Sequence, residues 1–148
     1  MTFQEKKNLG FIAATVLVFA YFWFNVFPRH PASGAAAETV LRFWGSTVLI
    51  YVVTSIGVLI LLHILTSITH TVLTREREPS FMDERDRLFD MKSDRYMYLT
   101  FIAVFLLAML LATLGAAPAV TFKVLMTAFL MSQIVGSSTE FFLYRRGY

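Results

Sequence analysis

The side chains best equipped for chemistry in this sequence fall into two groups. The first is a run of imidazoles and hydroxyls. His63, Thr66, Ser67, His70 and Thr74 step by three or four residues, which places them on one face of a helix. Histidine in an apolar helix can mark an ion or proton path, or can simply hydrogen-bond to a neighbouring helix. His70 and Glu140 would approach if the second and fourth helices were neighbours, and Asp94 lies at the same depth. Imidazole with carboxylate suits proton transfer, zinc or iron. The tight repeats of known metal helices, HxxxH or HExxH, are absent. His63, Ser67, His70 and Glu140 are therefore candidates for a polar or ion site, with the metal left open. His63 and His70 stand about 10.5 Å apart along one helix, so they cannot face each other across one haem iron. No cofactor is expected.

The second group is charged. Arg75 to Arg95 carries six basic and seven acidic residues, interrupted by Pro79-Ser80. Ser80 and Asp83 have the spacing of a capping box, which predicts a helix from about Phe81 to Tyr96 that runs on into the next apolar segment. Asp83, Asp90 and Asp94 share a stripe of that helix with Asp86 beside it, while Arg85, Lys92 and Arg95 lie roughly opposite. Met82, Phe89 and Tyr96 recur every seven residues on a further face. Such a pattern serves a solvated helix with weak ion pairs such as Asp83 with Arg87. It equally serves a helix whose basic and apolar side meets lipid or a second subunit while its acidic side meets a cytoplasmic partner. Under that second reading Asp83, Glu84, Arg85, Asp86, Asp90, Lys92 and Asp94 are the partner-binding residues.

The elements that must position these groups follow from composition. Of 148 residues, 57% are apolar and only 16% charged, more apolar surface than one aqueous core of this size can hide. The apolar runs 9–27, 43–65, 97–114 and 119–136 come near or reach the ~20 residues needed to cross a bilayer. The expectation is an all-α integral membrane four-helix bundle in a single domain. The first run is too long for a secretory leader, and Pro28-Arg29-His30-Pro31 pushes the small residues Ala35 to Ala37 too far downstream, so it is read as a retained span. Gly115-Ala-Ala-Pro118 predicts a tight turn, and Lys123 is read as an anchor reaching the nearby interface.

Ten of the 13 Lys and Arg flank the side that holds the termini and the charged loop. By the positive-inside tendency both termini and loop 75–96 are cytoplasmic, in a bacterial inner membrane. Cysteine is absent, which excludes disulfide and dithiol redox chemistry within the chain. No basic stripe with aromatics suggests nucleic acid. No nucleophile–base pair or phosphate loop is visible, so no enzyme is expected. Ala108, Ala112 and Ala116, and Ser132 with Gly136, are small-residue ridges suited to close helix contact within the chain or across a homodimer.

The stretch DERDRLFDMKSDRYMY, Asp83 to Tyr98, resembles a motif in a family of uncharacterised small bacterial and archaeal predicted membrane proteins. Asp83, Glu84, Arg85, Asp86, Leu88, Lys92 and Ser93 match, and the tail Tyr144-Arg145-Arg146-Gly147 is similar to that family's ending. The resemblance implies four spans and a cytoplasmic charged motif, and it implies no established activity. Together these readings lead to a non-enzymatic regulatory or scaffolding protein that engages a cytoplasmic or membrane partner. The alternatives are a small transporter or channel subunit using the His63/His70 stripe and a metal- or cofactor-binding membrane protein.

Overall fold

A computed structural model describes residues 3–32, 34–74 and 84–146. It contains four helices in the order α1 (Phe3–Asn25), α2 (Ala37–Thr74), α3 (Glu84–Thr113) and α4 (Pro118–Arg146), with a short 3-10 turn at Phe27–Arg29 after α1. All four are long and apolar enough to cross a membrane. The expected start of the charged helix at Phe81, and its Ser80 cap, lie outside the described residues. From Glu84 that helix runs without a break into the third apolar segment, as its sequence predicts.

Apolar side chains stay exposed along whole faces, among them Leu49, Ile50, Val53 and Leu61 on α2. Water would penalise a surface of that extent, whereas hydrocarbon would not. At 38 residues, α2 is about 57 Å long, so it exceeds a ~30 Å hydrocarbon layer by several turns.

The α3–α4 turn is built by a complete C-cap. Gly115 takes a φ of 80°, which a Cβ would make costly. Its N–H donates to Ala112 O at 3.2 Å, and Ala116 N–H donates to Leu111 O at 3.0 Å, the two bonds of a Schellman motif. Pro118 then opens α4 at the position where its missing N–H costs nothing.

That turn folds α3 back along α4 in an extensive antiparallel contact. Phe101 meets Phe129 with centroids 5.0 Å apart, Ser93 Oγ donates to Gly136 O at 2.9 Å, and Phe89 meets Tyr144 at 5.2 Å. Gly136 is the closest approach: a Cβ there would lie 3.4 Å from both Met97 Cβ and Ser93 Oγ. Of the small residues singled out, Ser132, Gly136 and Ala108 are buried, whereas Ala112 is exposed.

At the opposite end an aromatic cluster joins α1, α2 and α4. Trp44, fully buried, stacks on Phe122 at 5.9 Å with ring planes 5° apart and meets Phe27 at 5.5 Å. Tyr51 contacts Phe22 at 5.3 Å and Phe129 at 6.3 Å. Lys123 places its ammonium 5.9 Å from the rings of both Trp23 and Phe27, so it is held by cation–π contact as well as anchoring α4.

Gly136→Val should destabilise the fold by about 1–3 kcal/mol, because the added methyls must displace Met97 and Ser93. The measurement is the thermal unfolding midpoint in detergent. Gly57→Ala, where nothing lies within 4 Å of the added Cβ, should leave the midpoint unchanged or slightly raised.

Candidate functional site

The inward face of α3 recurs at Asp86, Asp90, Ser93 and Met97, steps of three or four that keep one side toward α4. On α4 the matching face is Ser132, Gly136, Glu140 and Tyr144, each four residues on from the last. The antiparallel contact therefore brings carboxyls from two helices together at the end of the bundle that carries the described termini. Tyr144 OH donates to Asp86 Oδ1 at 3.1 Å. The Asp90 and Glu140 carboxyls face each other across the seam, between that bond and the Ser93–Gly136 bond, close enough to interact. Two ionised carboxylates are acceptors only, so a hydrogen bond between them would need one to carry a proton.

A third helix closes the site. On α1, Asn8 is 1% exposed and turns its amide toward Glu140. The approach stops short of a full hydrogen bond, and Nδ2 finds no acceptor among the described residues. Lys7 is near enough to favour the charged form of both Asp90 and Glu140.

Asp90 and Glu140 lie beyond the apolar stretches 97–114 and 119–136, on the polar extensions of α3 and α4. Burial pushes the Asp90 carboxyl above the usual carboxylate range, and the charge of Asp94 adds to this. Burial likewise raises Glu140, with the charge of Asp90 next. Desolvation and a like charge both disfavour ionisation, and together they outweigh Lys7 and the hydrogen-bonding contributions.

The other predicted site residues are placed differently. Glu84, Arg85, Lys92 and Asp94 are exposed, and Asp83 lies outside the described residues. Arg85 sits over the Phe89 ring, 5.3 Å from its centroid. Lys92 borders an open groove with Thr139, Phe142, Leu143 and Arg146. The charged stripe read from the sequence is thus divided: Asp86 and Asp90 are engaged within the chain, while Asp94 faces outward.

His63 is not among the groups that act on the carboxyls. His63 is exposed and Ser67 half-buried on α2; the His70 side chain lies outside the described residues. The ring contacts from α2 to α4 are at Trp44–Phe122 and Tyr51–Phe129, toward the aromatic end. Nearer the carboxyl end Leu62 of α2 faces Gly10 of α1, and the groups acting on Glu140 come from α1 and α3. The Thr66 hydroxyl of the stripe turns back on its own helix, donating to His63 O at 2.9 Å. No group of three or more His, Cys, Asp or Glu able to hold a metal occurs among the described residues.

Asn8, Lys7 and Tyr144 were not foreseen as site residues. A usable signal was present for Tyr144, which follows Ser132, Gly136 and Glu140 at a repeat of four. For Asn8 the signal was its step of three and seven from Glu5 and Thr15, a buried polar face on an otherwise apolar helix. The chain matches no family model, no curated protein and no solved structure.

Tyr144→Phe should cost about 1 kcal/mol of stability, because it removes one hydrogen bond and leaves a half-buried carboxylate oxygen short of a donor. Unfolding midpoints of the two proteins in one detergent check this. A midpoint equal to that of the wild type would mean that the Tyr144–Asp86 bond contributes nothing net.

Proposed function

We propose that this is a non-enzymatic regulatory or scaffolding protein of a bacterial inner membrane, acting as a homodimer, whose α3 docks a cytoplasmic or membrane protein through its first turns. One observation carries the reading. Glu84, Leu88, Met91 and Arg95 follow one another by four, three and four residues on a single stripe of α3, and all are exposed. Leu88 and Met91 are 55% and 61% exposed on a stretch that extends beyond the apolar span.

An apolar pair bracketed by charges at i, i+4, i+7 and i+11 is the surface that a groove reads on a helix. The apolar pair supplies contact area and the flanking Glu84 and Arg95 set direction and partner choice. The opposite face of these turns is already held to α4 through Phe89, Asp86 and Asp90. Little conformational entropy is therefore left to lose on docking. The excess of Lys and Arg on this side supports a cytoplasmic position. The resemblance of Asp83 to Tyr98 to a motif in small predicted membrane proteins implies a charged segment leading into a span, and it names no partner.

The transport reading is less well supported, because His63 and the carboxyl pair occupy different parts of the bundle. The test is site-specific photo-crosslinking in cells from Met91, repeated after Leu88→Glu. A defined adduct at Met91 that weakens about tenfold or more with Leu88→Glu is expected, since a buried apolar anchor contributes about 1–2 kcal/mol or more. An adduct pattern identical to that from a lipid-facing position such as Leu106 would end the proposal.

A further inference from the structure

We infer that Asp90 and Glu140, together with the Asn8 amide, form a proton-binding site that ties α1, α3 and α4 together at the end of the bundle carrying the described termini. The inference stands on the inward face of α3 and is independent of the docking stripe on its outward face.

Three observations converge on it. The first is the approach of the Asp90 and Glu140 carboxyls across the α3–α4 seam, framed by the Tyr144–Asp86 and Ser93–Gly136 bonds; a hydrogen bond between them needs a shared proton. The second is Asn8, a fully buried amide whose Nδ2 has no acceptor although it is directed at Glu140. Buried donors without partners are rare and costly in a settled structure. Here the missing acceptor is the oxygen that Glu140 exposes as a carboxylate. The third is the charge around the pair: Asp86 and Asp94 from α3 stand against Lys7 from α1. One lysine cannot balance two ionised carboxyls in the presence of two further aspartates.

These facts define two arrangements. With the proton bound, Glu140 and Asp90 share it and α3 is held to α4, while the Asn8 amide waits. When the proton leaves for bulk water, both carboxyls are anionic and repel one another. Glu140 then has a ready donor in Asn8 Nδ2 and a counter-charge in Lys7, both on α1. The hydrogen bond passes from the α3–α4 contact to the α1–α4 contact, with no bond made or broken other than that to the proton. Which of the two carboxyls carries the proton is a property of the pair and needs no assignment to one residue.

The sign of the linkage is set by the raised carboxyls. The folded chain binds more protons than the unfolded chain between the ordinary carboxylate range and the raised one, so stability falls as pH rises through that window. A monovalent cation such as sodium also suits two carboxyls and an amide carbonyl, and the experiment separates it from the proton.

The test is infrared spectroscopy of the full chain in lipid nanodiscs, following the C=O stretch of protonated carboxyl groups across a pH titration. The proposal expects a protonated-carboxyl band that persists above the ordinary carboxylate range, is lost as pH rises further, is unaffected by replacing sodium with potassium, and is missing from Asp90→Asn/Glu140→Gln. Glu140→Gln retains a neutral side chain able to donate to Asp90, so its fold is preserved. Between about pH 5 and about pH 8 its unfolding midpoint should vary less than that of the wild type. Absence of the band above the ordinary carboxylate range, or its survival in the double variant, overturns the proposal. A band that follows sodium concentration rather than pH also overturns it, in favour of a sodium site.

Discussion

The antiparallel seam between α3 and α4 is the contact on which the other features of the molecule depend. It needs two things from the chain: a reversal short enough to keep the helices in register, and a place where their backbones can come close. Gly115 supplies the first through a positive φ that completes the cap of α3. Gly136 supplies the second, since even a methyl there would sit 3.4 Å from Met97 and Ser93. Ser93 then donates across the seam to the Gly136 carbonyl. In hydrocarbon, helices gain nothing from hiding apolar surface from one another, so association rests on close contact of this kind and on interhelical hydrogen bonds.

Once the register is set at Gly136, the polar ends of the two helices have no freedom in how they meet. Glu140 and Tyr144 follow on the face of α4 already turned inward, and Asp90 and Asp86 lie on the face of α3 that meets it. Close contact in the apolar region thus dictates a carboxyl cluster beyond it. The cluster is expensive in charge, and a tyrosine hydroxyl on Asp86 and a lysine from α1 offset part of that cost. The same register leaves Leu88 and Met91 outward, so one helix divides its first turns between a contact within the chain and a surface available to others.

The two ends of the bundle are held by different physics. At the aromatic end, α2 is joined to α1 and α4 by large rings with edge and stacked contacts, and Lys123 closes the cluster by cation–π attraction. These contacts depend on shape and are insensitive to pH. At the carboxyl end the contacts among α1, α3 and α4 include titratable groups. Among the described residues the ring contacts of α2 with α4, Trp44–Phe122 and Tyr51–Phe129, lie toward the aromatic end, away from the carboxyls.

Much of the architecture could be read directly from the sequence. Four apolar runs of near-bilayer length, a Gly-Ala-Ala-Pro turn, the continuity of the charged helix with the third run, and the close approach at Ser132 and Gly136 all follow from local rules. Hydropathy, turn chemistry and side-chain volume act over a few residues, so their consequences are legible without knowing what lies opposite. The carboxyl site was legible only in part. Glu140 was singled out as a candidate, but Asp90 was not named as its neighbour, because helix order alone does not say which pairs meet. Tertiary structure decided that Glu140 meets Asp90 and Asn8, and that Asp86 and Asp90 turn inward while Asp94 does not. That choice depends on helix rotation about the α3–α4 axis, which is set by the fit at Gly136, Ser93 and Met97 and not by the charges themselves.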